Sequence, residues 1–99
     1  MRFSVKTANE NILVLIRKLG YAPKEANGEE FNCVRYLSGR EYPRFHLFIK
    51  QDKDKNLLSF NLHLDQKKAS YKNSPAHSGE YEGKLVEVEK ERIIKAIEG

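Results

Sequence analysis

Ninety-nine residues, 39% hydrophobic and 32% charged with a net charge of +4, describe a folded chain with room for a single core rather than a disordered tail. The longest apolar run, Ile12–Ile16, is five residues, against the ~20 that cross a bilayer, so no membrane contact is expected. Cys33 is the lone cysteine and MRFSVKTANE carries no apolar leader, which sets the expectation of a reduced, cytoplasmic protein in which Cys33 is a small buried residue.

The charge is unevenly spread. Residues 1–30 carry a net +1, residues 31–72 a net +5 and residues 73–99 a net −2. A basic middle segment attracts phosphate-bearing partners. Part of that excess is neutralised locally, because Lys53 and Lys55 alternate with Asp52 and Asp54.

MRFSVK sets Phe3 and Val5 against Arg2, Ser4 and Lys6, the period of a short strand. TANENILVLIRKLGY reads as a helix. Thr7 and Glu10 have the spacing of a capping box, and Ala8, Ile12, Leu15, Ile16 and Leu19 form one apolar stripe. Gly20 suits a left-handed cap, and Pro23 stops any continuation. YAPKEANGEE is expected to be a loop turning at Asn27-Gly28. FNCVRYL, RFHLFIK and NLLSFNLHLD are strands joined by SGREYP and QDKDK. Gln66–Gly83 has no periodicity and reads as one long loop; loops of about eighteen residues are usually functional or disordered. In KLVEVEKERIIKAIEG, the positions Val86, Lys90, Ile93, Ile94 and Ile97 predict a helix over about 87–98, with KLVEV as an alternative short strand before it.

The expected architecture is therefore one α+β domain over residues 1–99, with a long loop at about 66–83. It is a two-layer sandwich in β-α-β-β-β-α order. A three- to four-stranded antiparallel meander carries the N-terminal and C-terminal helices on one face.

Strand parity gives a geometric expectation for the histidines. Phe45, Leu47 and Ile49 must face the core together with Leu58, Phe60, Leu62 and Leu64, since a slip of one residue would invert a strand. A four-residue turn at Asp52–Lys55 sets Ile49 opposite Leu58, His46 opposite Asn61 and Arg44 opposite His63. The imidazoles of His46 and His63 are then diagonal neighbours on the outer face, roughly 7–8 Å apart at the backbone. A shift of two residues, the smallest that keeps both apolar rows inward, would set them directly opposite or further apart. The first strand of the meander offers either Val34 and Tyr36 or Cys33 and Arg35 to that face.

Two sets of candidate site residues follow. His46 and His63, with His77 if its loop folds back over the sheet, form an acid–base set for a phosphodiester, with Arg44, Lys67 or Lys68 stabilising the anion. Arg44, Lys50, Lys67, Lys68, Tyr71 and Lys72 mix cations with an aromatic ring, as surfaces that hold single-stranded nucleic acid do. A solvated sheet face and loop would have the same composition. Asp65 or Glu80 could join neutral imidazoles around zinc, but no H-x-H or H-x-x-x-H pair exists, and neither a metal nor another cofactor is the expected reading. The expected function is a binding module for RNA or another polyanion. A His-dependent phosphodiesterase or ribonuclease is the alternative, and a protein–protein or homodimer module, through a sheet edge or the helix faces, is the third.

From Asn9 onward the expected helix–three strands–helix order is similar to that of double-stranded-RNA-binding domains, and QKKAS resembles the basic start of their second helix. SYKNSP follows here in place of a helix. LIRKLGY resembles the end of the first helix of the HicA type of ribonuclease toxin, without that family's Gly-Ser-His element. Both likenesses imply an RNA partner.

Overall fold

The computed structural model describes residues 1–7, 10–66 and 83–99, together with the backbone of 79–80. Strand β1 (Arg2–Lys6) leads to helix α1 (Ile12–Lys18). Four strands follow: β2 (Ala22–Asn27), β3 (Glu30–Tyr36), β4 (Arg44–Asp52) and β5 (Leu57–Asp65). A two-residue strand, β6 (Gly79–Glu80), precedes helix α2 (Lys84–Glu98). The class is α+β with one antiparallel sheet, in the order β1-β5-β4-β3-β2, and β6 pairing β5 beyond the end of β1. Among the described residues, no helix is long and apolar enough to cross a membrane.

The sheet is wider than the expected meander because YAPKEANGEE contains β2. Every residue of β2 is exposed, so the segment carries no alternation to read, and it is held by backbone pairing to β3. Its Pro23, Lys24 and Glu25 are residues that blunt an edge strand. Gly28, at φ 61°, makes the tight β2–β3 turn that a side chain would strain. The four consecutive strands after α1 also depart from the helix–three strands–helix order that suggested RNA-binding domains.

Helix α1 is shorter than its stripe implied. Its cap is Asn11, whose side chain accepts a hydrogen bond from the Val14 amide at 3.2 Å. The Thr7 amide instead donates to the Asn56 carbonyl at 2.9 Å, which keeps Thr7 with the sheet. Ala8, the first residue of the expected stripe, lies outside the described residues. At the other end Gly20 takes φ 87° immediately after the C-cap Leu19, as its sequence position suggested. Helix α2 begins at Lys84, so KLVEV forms its first turns rather than a strand.

One face of the sheet carries both helices. Ile12, Leu15, Ile16 and Leu19 from the α1 region and Val86 and Ile93 of α2 pack with Leu47, Ile49, Leu58, Phe60, Leu62 and Leu64. Burying each such side chain contributes about 1.5–3 kcal/mol. Cys33 lies in this core, and burial pushes its thiol up to about 12. One charged group is buried there too. Glu89, 3% exposed, accepts from the Tyr21 hydroxyl at 2.6 Å, from Arg35 at 3.2 Å and from Arg92 at 2.8 Å. Arg92 also donates to the Leu19 carbonyl at 2.7 Å. This network ties α2 to β3 and to the chain leaving α1. It also explains how Arg35 faces the helices.

Between β4 and β5 the apolar rows face inward as parity required, but the register differs from the expected one by two residues. Ile49 lies opposite Phe60, Leu47 opposite Leu62 and Phe45 opposite Leu64. The connection consists of Lys53–Asn56, one residue later than expected. Asn56 takes φ 51°, a conformation asparagine tolerates, and Asp52 accepts from the Lys55 amide at 3.2 Å. These local contacts select the turn.

Candidate functional site

The register places His46 directly opposite His63, and Arg44 directly opposite Asp65. All four side chains point away from the helices. Strand β3 turns Asn32, Val34 and Tyr36 to the same side, opposite Phe48, His46 and Arg44. That resolves the parity left open in FNCVRYL: Cys33 and Arg35 face the helices.

The side chains converge on one carboxylate. The Nδ1 atom of His46 is 3.3 Å from Asp65 Oδ2, and the Nε2 atom of His63 is 3.0 Å from Asp65 Oδ1. Arg44 Nε donates to Asp65 Oδ2 at 3.2 Å. On its other side, His46 Nε2 hydrogen-bonds with the Asn32 side-chain amide. The imidazole centroids are 4.7 Å apart, and the Phe48 ring stacks on His46 at 4.6 Å.

The setting is dry for an outer sheet face. Val34 is 1% and His63 8% exposed. Burial holds the His46 imidazole below the ordinary 6.5, and the neighbouring His63 ring adds to this against the opposite pull of Asp65. Burial likewise lowers His63, again opposed by Asp65. Both rings are therefore neutral at pH 7. A neutral imidazole carries one N–H. Asn32 accepts the proton of the Nε2 tautomer; with its amide turned it donates to Nε2 instead, and the Nδ1 proton then goes to Asp65.

A second group adjoins this centre. The Arg44 guanidinium lies 4.6 Å over the Tyr42 ring, and Lys24 lies 5.9 Å over Tyr36, which is 41% exposed. These are two cation–aromatic pairs at one end of the helix-free face.

Of the residues singled out in the sequence, His46, His63 and Arg44 come together. Lys50 is exposed at the far end of β4, six residues from Arg44. It lines a broad open depression together with the alternating charges of Asp52–Lys55, away from the imidazoles. His77, Lys67, Lys68, Tyr71 and Lys72 lie outside the described residues. The chain rejoins the sheet at β6, where Gly79 pairs with Asp65, so the expected loop at 66–83 contains this short strand. Asn32, Tyr42 and Lys24 were not legible as site residues, and Tyr36 was offered to this face only as one of two parities. Asn32 and Tyr36 lie on β3, the strand with ambiguous parity, Lys24 on β2, the strand without any pattern, and Tyr42 in the connection before β4. Asp65 was legible as a possible companion of the imidazoles around a metal, but not as the carboxylate on which both rings and Arg44 converge.

No family model matches the chain, and no curated protein or solved structure matches it either.

Proposed function

We propose that this protein binds a phosphodiester polyanion, single-stranded RNA being the simplest member of the class, across the helix-free face of its sheet. The observation that carries this reading is the pairing of Lys24 with Tyr36 and of Arg44 with Tyr42 beside the imidazole–carboxylate centre. The cations meet phosphates, and the exposed Tyr36 ring offers a face on which a base stacks. The neutral imidazoles of His46 and His63 provide proton acceptors next to that path. This supports a second reading, in which the bound phosphodiester is also cleaved.

Fluorescence anisotropy of a labelled single-stranded RNA at several salt concentrations tests the proposal. Contacts of Lys24 and Arg44 to two phosphates predict a logarithmic slope of roughly −1.4 in salt. Tyr36→Ala should weaken binding by about tenfold, in keeping with ~1–3 kcal/mol per stacked base. Lys24→Ala should make the slope shallower by about 0.7, the contribution of one single-strand phosphate. Absence of binding at low salt, or affinity indifferent to salt, would refute it. RNA fragments that vanish in both His46→Ala and His63→Ala would establish cleavage.

A further inference from the structure

The geometry points to a divalent transition-metal site of the zinc class formed by His46 Nδ1, His63 Nε2 and one oxygen of Asp65. These donors come from adjacent strands, and one ligand atom from each residue falls within 4.8 Å of the others. His63 Nε2 lies 3.0 Å from Asp65 Oδ1 and His46 Nδ1 lies 3.3 Å from Asp65 Oδ2, so each nitrogen stands about one tetrahedral edge from its own carboxylate oxygen. Bonds of 2.0–2.1 Å to nitrogen and oxygen give an edge of about 3.4 Å.

The contact of His46 with Asn32 fits that assignment. A metal ion on Nδ1 leaves the ring proton on Nε2, where the Asn32 oxygen accepts it, while Arg44 holds the carboxylate oxygen that faces Nδ1. Asn32 and Arg44 thus hold the ligands as the outer partners of metal sites do, fixing a ring tautomer and orienting a carboxylate. Two imidazoles and a carboxylate are a donor set suited to zinc or a neighbouring transition metal rather than to magnesium or calcium. Three protein ligands leave a coordination position for water or an anion, the arrangement of catalytic rather than structural zinc sites. Use of that position by a phosphate oxygen rests on the polyanion reading above. Occupancy by the ion does not.

The test is titration of the purified protein with cobalt(II), read by visible d–d absorption, and with zinc, read by calorimetry. The full chain should take up one equivalent with an intense, low-symmetry cobalt spectrum. His46→Gln and His63→Gln should lose that spectrum while keeping the far-ultraviolet circular dichroism of a folded chain. Asn32→Ala, which removes no ligand, should weaken zinc binding by about 10–100-fold, the usual cost of losing an outer partner. Should either histidine variant fail to fold, nitrogen-15 NMR of the wild-type rings decides the matter. Zinc must shift His46 Nδ1 and His63 Nε2 as metal-bound nitrogens while His46 Nε2 keeps its proton. Lack of stoichiometric cobalt uptake, a spectrum that survives in both folded histidine variants, or a proton on His46 Nδ1 at saturating zinc would overturn the assignment. RNA affinity is measured separately, so loss of the polyanion reading would leave this result intact.

Discussion

Asp65 and Glu89 each gather several donor side chains, one on either face of the same sheet, and the difference lies in those partners. Around Glu89 they are a phenol and two guanidiniums, which at neutral pH can only donate to the carboxylate. Burial and the adjacent carboxylate hold the Tyr21 hydroxyl far above its usual range, so it stays protonated. The cluster is closed, and its role is to fasten α2 against β3. Around Asp65 one partner is a guanidinium and two are imidazoles, whose nitrogens change from donor to acceptor with a tautomer or a proton. That cluster can exchange a proton or a metal ion for its internal contacts. Both clusters hold charge at low exposure; only the second is chemically adjustable.

Removing each carboxylate separates the two roles. Glu89→Ala should produce the largest loss of stability, about 3 kcal/mol by urea denaturation. Breaking a buried ion pair costs 3–5 kcal/mol, and the low end applies because its arginines are 34% and 37% exposed. RNA affinity and metal uptake should survive in the fraction that remains folded. If Glu89→Ala leaves the denaturation midpoint unchanged, the inner network is not the fastening described here. Tyr21→Phe is milder. It deletes one hydrogen bond to a charged acceptor and should cost about 1.5 kcal/mol, with the slope of the urea transition unchanged.

Acid should distinguish the clusters by a smaller effect. Both imidazoles are lowered from 6.5, so below that pH the unfolded chain binds more protons than the folded one. Their contribution to metal-free stability is complete above about 6.5 and is lost as the pH falls through the depressed folded values. Thermal melts between pH 7.5 and 5 should show this loss in the wild type and less of it in His63→Gln. Identical profiles for the two proteins would contradict the lowered value assigned to His63.

Much of this architecture follows from local patterns. Alternation over Phe45–Ile49 and Leu58–Leu64 is enough to predict which side chains reach the helices, because a pleated strand repeats every two residues. The stripes in α1 and α2 and the glycine after Leu19 are similarly local. Parity has a limit, however: it is unchanged by a two-residue shift, and that shift separates diagonal histidines from opposed ones. The turn at Lys53–Asn56 selects between them through backbone conformations that apolar spacing does not encode. β2 escaped notice for a related reason, since an exposed edge strand depends on its neighbour's backbone and buries no row of its own. The meetings of Asn32 with His46 and of Tyr21 with Glu89 join residues 14 and 68 positions apart. Contacts of that kind leave no periodic trace along the chain, and only the packed sheet and helices create them.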